Sequence, residues 1–454
     1  MKTIFFVINS RTRVNFILRT DLFKILQKKK DFKIVIISPF SNDTSFLKEF
    51  GSDNVFFEQL KSLRGYPFKI VALRALALAK PLHPELKKSR MISAFMDRRF
   101  QKFPIWVLSL RHFFRDLILN ILPKSISKSE KFWMKFLSFF ISKKYGNWLF
   151  EKYSPNLVIL ANAGGDGYEI PFLVSAYFCK IPTVAVDANL DAATYRHFGT
   201  PFFVTKFCAF GEPQKKEFVE IHKFFPESTE VTGALRYDFY FKEFNPISRE
   251  DFFKKVGADP TKKLITLGAK TSLVFPHNQD IIDIVQKEIS NGLFGPAQLF
   301  VRFDPGHDTS IYGELLNKIL WEKAENASDE NHLPNLLYHS DVYLGLGATT
   351  LALEACAVDT PAVWIGFDGY TKYNDPKLSC RLQYDLAVFQ RIIKSGGVPL
   401  VETPENLVSW IKENLENKEK NKEKRELLMK SEYFNFKDGL AGERIANLII
   451  NLLK

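Results

Sequence analysis

The stretch "LGLGATTLALEACAVDTPAVWIG", residues 344–366, contains the pattern that decides the fold. An apolar run ends at Gly345 and Gly347, a helix-forming segment that contains Glu354 follows, and a second apolar run begins after Pro361. This order of strand, glycine turn, helix and strand is typical of parallel sheets, whose ligands bind beyond the carboxyl ends of the strands. The stretch therefore predicts part of a Rossmann-like α/β domain.

The same alternation of short apolar runs and helical segments extends along the whole chain. We predict strands at Thr3–Asn9, Lys33–Ser38, Leu157–Ala161, Thr183–Asp187, Leu264–Gly268, Leu299–Phe303, Val342–Leu346 and Ala362–Ile365. A polar, proline-containing connector after Thr232-Gly233 places a domain boundary near residue 243. The prediction is two Rossmann-like domains that face a cleft, at residues 1–243 and 244–435, followed by a C-terminal amphipathic helix at 436–454.

Composition restricts the class of protein. The chain has 454 residues, 46% of them hydrophobic, which is enough for two packed cores. Its four cysteines are scattered without a C-x-x-C pair, so neither a disulfide framework nor a zinc site is predicted, and a reducing cytoplasm fits. The N-terminal segment predicts a first strand rather than a signal peptide, and no window of about 18 residues is free of charge, so no membrane span is predicted.

The positive charge of the chain is concentrated in residues 61–150. This segment contains 19 Lys or Arg, four acidic residues and 16 aromatic residues, whereas the net charge of the whole chain is +12. Its helical spacing predicts a basic, aromatic helical insertion in the first domain. We interpret it as a surface for anionic membranes, with a helical subdomain whose aromatics are core as the alternative. No RNA-binding or helix-turn-helix signature is present, so no nucleic-acid partner is predicted.

A second charged segment, "LENKEKNKEKRE" at residues 415–426, is more evenly balanced between the two signs. Runs of this kind are typical of solvated helix faces or loose connectors between packed elements. The prediction is therefore a segment without a part in the core.

Small residues follow the strand that ends near Leu346. Gly347 and Ala348 permit a tight turn, and Thr349 and Thr350 bring hydroxyls to the start of the next helix, an arrangement that suits phosphate. Glu354, one helical turn later, is placed to accept hydrogen bonds from a ribose diol. The alternative is an ordinary helix cap followed by a solvent-facing glutamate.

Two further strand ends of the second domain carry ionisable groups. "LITLGAKTS" provides Lys270 and Thr271, a cation and a hydroxyl where a diphosphate requires neutralisation. "LFVRFDPGHD" provides Arg302 and His307 around a Pro-Gly turn. The alternative for all of these residues, His307 included, is solvated loop chemistry.

The segments Phe210–Asp238 and His339–Gly369 resemble glycosyltransferases of GT-B fold, in particular bacterial surface-carbohydrate enzymes and the CDP-glycerol glycerophosphotransferase-like group. The resemblance implies that the C-terminal domain binds the nucleotide of the donor, with the phosphates at residues 347–350 and the ribose at Glu354. Glycerophosphotransferase-like members usually have His-Pro where this chain has Asp304-Pro305, a difference that favours a sugar donor.

The first domain is expected to bind the acceptor and to supply a base. "ANAGGDGYEIPF" places Asp166 and Glu169 after a predicted strand, and a carboxylate in a cleft can take the proton of an acceptor hydroxyl. Asp166 is the preferred base, its alternative role being a helix cap, and Asp187 and Asp191 are rivals.

Arg236 precedes the connector between the two domains. Its side chain is placed to reach towards phosphate, or alternatively to pair with Asp238 two residues later.

Together these features predict a metal-independent glycosyltransferase that moves a sugar from a nucleotide-sugar donor to a surface-polysaccharide or lipid-linked acceptor. No cofactor is expected besides the donor substrate, and the predicted location is cytoplasmic, at the inner face of the membrane. Two alternatives stay open. One is a sugar-nucleotide 2-epimerase of the same fold, and the other is a non-catalytic, membrane-associated subunit of a glycan-assembly complex.

Overall fold

The computed structural model describes residues 1–60, 84, 85, 88, 92, 147–161, 168–187, 189–190, 204–222, 225–271, 275–324, 331–373, 379–432 and 434–454. The predicted insertion at 61–150 therefore lies almost entirely outside the described residues, and so do Asp166 and Asp191.

The first sheet has seven parallel strands in the order β3-β2-β1-β4-β5-β6-β7. Their bounds are β1 Lys2–Val7, β2 Phe32–Ser38, β3 Val55–Gln59, β4 Leu157–Leu160, β5 Thr183–Val186, β6 Lys206–Ala209 and β7 Thr229–Val231. The second sheet has six parallel strands in the order β10-β9-β8-β11-β12-β13. Their bounds are β8 Lys263–Ala269, β9 Ala297–Phe303, β10 Leu320–Lys323, β11 Val342–Leu346, β12 Ala362–Ile365 and β13 Leu400–Val401. Both orders are those of doubly wound Rossmann domains.

Helices connect the strands. The α-helices longer than one turn in the described residues are α1 Asp21–Gln27, α2 Thr44–Phe50, α3 Asn147–Tyr153, α4 Ile170–Cys179, α5 Glu212–His222, α6 Arg249–Val256, α7 Asn278–Ser290, α8 His332–His339, α9 Leu351–Ala357, α10 Ala387–Ser395, α11 Pro404–Glu416, α12 Lys422–Leu427 and α13 Ala441–Leu452. Shorter helical segments are Arg11–Arg13, Val14–Leu18, Pro226–Ser228, Leu235–Tyr237, Phe239–Glu243, Ser310–Lys318, Cys380–Asp385 and Leu428–Glu432. In this described part of the chain, none of the helices is long and apolar enough to cross a bilayer.

The central strands are apolar along their whole length because helices cover both faces of each sheet. In β1, every residue from Thr3 to Val7 is buried, and alternate residues contribute to two different apolar clusters. All eight predicted strands are confirmed within one or two residues at their ends. Five further strands, β3, β6, β7, β10 and β13, are outside this set of eight. Four of these five lie at sheet edges, where a strand needs only one neighbour.

The chain divides into two compact units. Among the described residues, the first unit contains 1–60, 147–238 and 435–454, and the second contains 239–434. Helix α13 thus belongs to the first unit, where Ile445 and Ile449 pack into the same cluster as α1. The Asp238 carboxylate accepts hydrogen bonds from the backbone N–H groups of Ala441, at 3.1 Å, and Gly442, at 2.7 Å, at the start of α13. Burial raises the pKa of Asp238 to about 6.

The charged segment 415–426 is anchored to the second unit, so the prediction of a segment without a part in the core is wrong at two positions, Leu415 in the apolar cluster and Arg425. Arg425 is only 2% exposed, and its guanidinium donates to the Asp359 carboxylate at 2.9 Å. It also donates to the backbone carbonyls of Lys418, at 3.0 Å, and Lys420, at 2.9 Å. A fork of five N–H donors can satisfy several acceptors at once, which allows Arg425 to be buried.

Candidate functional site

The carboxyl ends of β8, β9 and β11 lie side by side in the second sheet. Gly268 of β8 is in register with Gly345 of β11 on one side and with Arg302 of β9 on the other. The strand order reverses between β8 and β11, which is where open parallel sheets bind their ligands. The three turns that the sequence singles out therefore meet at the switch point of this sheet.

The two glycines of this register have no room for a side chain. A Cβ at Gly268 would lie 2.1 Å from the Tyr343 hydroxyl, and a Cβ at Gly345 would lie 2.8 Å from the Thr349 Cγ2 atom. The side chains of Tyr343 and Thr349 thus occupy the space that the glycines leave. Sequence reasoning assigns Gly345 to a tight turn, whereas the structure shows that both glycines lie within strands and leave room for neighbouring side chains.

The turn that follows β11 is fixed by side chains from later elements. Gly347 has a φ of +72°, a left-handed conformation that favours glycine. The Ala348 N–H donates to the Oε1 atom of Gln383 at 3.2 Å, and the Thr349 carbonyl accepts from the Trp364 indole N–H at 3.1 Å. The turn is consequently preorganised by residues that are distant in sequence.

Glu354 is buried and bonded to a side chain. It is 3% exposed, and its Oε2 atom accepts a hydrogen bond from the Tyr240 hydroxyl at 2.5 Å. The alternative of a solvent-facing glutamate is therefore wrong. Thr350 is the N-cap residue of α9, and its side chain makes no capping hydrogen bond there.

The turn that follows β8 is held by Asn278. The Lys270 N–H donates to the Asn278 Oδ1 atom at 3.1 Å, and the Asn278 side chain returns a bond to the Lys270 carbonyl at 2.9 Å. The Lys270 ammonium lies 3.5 Å from the Asp304 carboxylate, and the two side chains are 25% and 30% exposed. Next along this turn, the Thr271 carbonyl accepts from the Phe275 N–H at 2.9 Å. Lys270 is thus a cation just past the carboxyl end of β8, with partial access to solvent.

Arg302 lies in a buried ionic network. It is 9% exposed and pairs with Glu322 of β10, and the other oxygen of Glu322 lies 2.6 Å from the Nε2 atom of His332. Burial opposes ionisation of Glu322, but His332 and Arg302 outweigh it and hold the pKa of this carboxyl below its ordinary value. The charge of Arg302 is therefore largely balanced inside the protein.

His307 is a packed histidine. It is 2% exposed, its Nε2 atom lies 2.9 Å from the Tyr312 hydroxyl, and its ring stacks on Phe303 with 5.0 Å between centroids. Burial lowers the pKa of His307, which favours the neutral imidazole. His307 is therefore a core residue, and the alternative of solvated loop chemistry is wrong for it.

The predicted acceptor residues lie in the first unit. Glu169 is fully buried as the N-cap residue of α4, and its Oε1 atom accepts from the Ala161 N–H, just past β4, at 2.6 Å. Asp187 is 3% exposed and accepts from the Asn189 N–H at 2.8 Å. Arg236 lies with its guanidinium carbon 4.4 Å from the centre of the Phe16 ring.

The structure thus groups part of the predicted set. Lys270, Thr271, Arg302, Glu354 and residues 347–350 lie around the carboxyl edge of the second sheet, and His307 is buried behind Phe303. Glu169 and Arg236 belong to the other unit. Sequence reasoning misses the residues that hold this edge, namely Tyr240, Asn278, Tyr343, Trp364 and Gln383. Tyr343 and Trp364 lie on predicted strands, but Tyr240, Asn278 and Gln383 lie in helical segments, and no local pattern connects these with the strand ends.

No protein-family model and no curated protein matches the sequence of the chain. Solved structures nevertheless match it over nearly its full length. S. aureus MnaA, solved with UDP, is 13% identical over 100% of this chain and 98% of its own, with a TM-score of 0.57. A glycosyltransferase from Rickettsia africae is 13% identical over 100% and 99%, with a TM-score of 0.54. The UDP-GlcNAc 2-epimerase from Neisseria meningitidis, bound to UDP-GlcNAc, is 13% identical over 99% and 100%, with a TM-score of 0.54. At this level of identity the similarity defines the fold, and this chain has two Rossmann-like units of the GT-B type.

Proposed function

We propose that this protein is a glycosyltransferase whose second unit binds a nucleotide-activated sugar and whose first unit supplies the acceptor site. The register of β8 against β11 carries the proposal. Lys270 lies two residues past Gly268, and Gly347 lies two residues past its partner Gly345. Both residues are therefore just beyond the ends of two neighbouring strands, which are about 4.8 Å apart. A cation and a glycine turn are thereby brought together at the switch point, which is the arrangement that a diphosphate requires.

The Lys270 ammonium is proposed to neutralise the departing diphosphate. Its present partner, Asp304, is 30% exposed, and such exchangeable pairs cost little to break. The Ala348 N–H points at the Gln383 amide oxygen over 3.2 Å, a neutral bond that an anionic phosphate oxygen would replace with a stronger one. With these donors in place, the proposed transfer needs no metal ion.

Glu354 is proposed to bind the ribose. Its Oε2 atom accepts from Tyr240, and a buried carboxylate held in one orientation is suited to accept from a diol. The Tyr240 hydroxyl then acts as a positioning group, because it fixes the carboxylate before the ligand arrives.

In the proposed transfer, the acceptor hydroxyl oxygen bonds to the anomeric carbon of the sugar while the bond from that carbon to the diphosphate breaks. The hydroxyl proton passes to a carboxylate of the first unit, and the nucleoside diphosphate leaves. Glu169 is fully buried and bonded to a backbone N–H, so Asp166 is the preferred base.

A 2-epimerase is the second candidate, because several proteins to which this chain is similar in fold are UDP-GlcNAc 2-epimerases. Both activities begin with a bound nucleotide sugar, so the sites at Lys270 and Glu354 serve either.

Nucleotide binding is the first test. The melting temperature is measured with UDP, GDP, CDP, CMP and ADP for the wild type, Glu354→Ala and Lys270→Ala. A ligand at 100 times its Kd stabilises by about 2.7 kcal/mol, which gives a clear rise in Tm. We expect one nucleotide to raise the Tm of the wild type and to lose that effect in both variants. Absence of a shift with every nucleotide contradicts the proposal and favours the non-catalytic subunit.

Product analysis separates the two enzymes. A glycosyltransferase releases free nucleoside diphosphate only when an acceptor is present, whereas an epimerase converts the nucleotide sugar without an acceptor. We further expect Asp166→Asn to lose turnover while it retains nucleotide binding. Epimerised nucleotide sugar in an acceptor-free reaction would overturn the transferase proposal.

We also propose that residues 61–150 contact an anionic membrane surface, where a glycan or lipid-linked acceptor is available. The excess of 19 basic over four acidic residues in this segment, together with its 16 aromatics, supports this. The protein is expected to co-sediment with vesicles of phosphatidylglycerol at low salt and to stay in the supernatant at high salt. Equal binding to neutral vesicles contradicts the electrostatic part of the proposal.

A further inference from the structure

The Tyr343 hydroxyl differs from the other buried phenols of the second unit. Tyr343 is 1% exposed, and among the described residues its hydroxyl has no hydrogen-bond partner. By contrast, Tyr384 donates to the Ile365 carbonyl at 2.9 Å, and the hydroxyl of Tyr312 lies 2.9 Å from the Nε2 atom of His307. A buried hydroxyl without a partner is costly, so its retention calls for a reason.

The position of this hydroxyl gives a reason. It lies beside Gly268, where even a Cβ would approach it to 2.1 Å, on the strand pair where the sheet order reverses. The charged groups that influence it are Asp304, Glu354 and Arg302, and the Thr349 side chain interacts with it more weakly. Three of these four residues are members of the nucleotide-binding set that the sequence predicts. The hydroxyl is therefore buried next to the residues of the candidate site, beside the end of β8.

We propose that Tyr343 donates a hydrogen bond to an oxygen of the bound nucleotide diphosphate. This inference rests on the proposed function and adds to it a residue that neither the sequence nor the comparisons assign. The hydroxyl is shielded from solvent, and no described residue accepts a hydrogen bond from it. Ligand binding then supplies the acceptor, so the unfavourable burial of the free state is relieved only in the complex.

The protonation state of Tyr343 fits this role. Burial raises the pKa of its hydroxyl well above the ordinary value, with smaller contributions from Asp304 and Glu354. The side chain consequently stays a neutral O–H donor near neutral pH. A neutral donor can approach an anionic oxygen closely, and hydrogen bonds to charged groups are the stronger ones.

The substitution Tyr343→Phe tests the inference because it should raise stability and lower nucleotide affinity. Removal of an unpartnered hydroxyl is expected to raise the Tm of the ligand-free protein by about 1–3 °C. The same change is expected to weaken the Kd of the nucleoside diphosphate that stabilises the wild type by about tenfold, measured by calorimetry. A purely structural role for the hydroxyl does not predict both results, because loss of packing lowers both stability and affinity.

Tyr384→Phe is the matched control. It removes a hydroxyl that is bonded to a carbonyl, so its Tm is expected to fall. Unchanged nucleotide affinity in Tyr343→Phe overturns this inference and leaves the proposed function intact. A lowered Tm with lowered affinity also overturns it, since the hydroxyl then supports the free fold. If no nucleotide binds the wild type, the proposed function and this inference fail together.

Discussion

Two buried glutamates, one in each unit, occupy similar places at the carboxyl edge of a parallel sheet. Glu169 begins α4 after β4, and Glu354 lies on α9 after β11. Glu169 is fully buried and accepts from the backbone N–H of Ala161 at 2.6 Å. Glu354 is 3% exposed and accepts from the Tyr240 hydroxyl at 2.5 Å.

The hydrogen-bond partner of each glutamate indicates whether that residue stabilises the fold or binds a ligand. A backbone N–H that loses its buried acceptor has no other conformation in which to find one, so Glu169 is tied to the fold around β4. A tyrosine hydroxyl can rotate or bond to water, so the hydrogen bond from Tyr240 to Glu354 can be replaced by a ligand contact without a change in the backbone. Burial alone thus does not distinguish a structural acid from a binding acid, whereas the partner does.

The largest expected effect is the loss of stability in Glu169→Ala. The substitution leaves the Ala161 N–H unsatisfied and opens a cavity, at a cost of about 3 kcal/mol in the free energy of unfolding. Thermal unfolding measures it. Glu169→Gln keeps an acceptor of similar size and is the control, expected to recover most of the loss. If Glu169→Gln is stable yet abolishes turnover, Glu169 is the base and the comparison breaks.

Glu354→Gln is expected to weaken nucleotide binding and to leave stability nearly unchanged. The amide retains one acceptor for Tyr240 but removes the charge and an acceptor for the ribose diol, so nucleotide affinity falls about tenfold. The Tm of the free protein should stay close to that of the wild type. Calorimetric titration with the stabilising nucleotide checks the first part. A large fall in Tm without loss of affinity contradicts the site role.

Asp238 extends the comparison to a third acid, bonded to two backbone N–H groups at the start of α13. Its pKa is raised to about 6 by burial, so the folded state binds the proton more tightly than the unfolded state. The stability that this provides is present below about pH 4 and is lost as the pH rises through 6. Asp238→Asn does not titrate and so does not lose this stability as the pH rises. The free energy of unfolding of Asp238→Asn relative to that of the wild type should therefore increase by about 1 kcal/mol between pH 4 and 7, with a corresponding rise in its relative Tm. A constant difference across that range argues against the shifted pKa.

The smallest expected effect is that of Tyr240→Phe. The hydroxyl orients Glu354 without contacting the nucleotide, so its removal should weaken nucleotide affinity about threefold. The double variant Tyr240→Phe, Glu354→Gln should bind no more weakly than Glu354→Gln alone, because both changes act on one carboxylate. Additive losses would show that Tyr240 contacts the ligand itself.

Much of the fold follows from local pattern. The eight predicted strands are present because buried parallel strands are continuous apolar runs bounded by turns, a signal that each run carries alone. The edge strands β3, β7 and β10 are outside the predicted set because each contains charged or polar residues, and β13 is outside it because it has only two residues. Arg425 shows the same limit for charge, since a charged run does not indicate which of its members will be buried.

The sequence by itself determined the Rossmann-like alternation, the glycine turn at Gly347 and the chemistry available at three strand ends. Only the tertiary structure decided which of those residues meet. The register that pairs Gly268 with Gly345, the bond from Tyr240 to Glu354 and the position of the Tyr343 hydroxyl beside Gly268 all bring together residues far apart in the chain. Strand and helix preferences are local, whereas hydrogen-bond partners and burial depend on how strands pair in a sheet, which no single segment encodes.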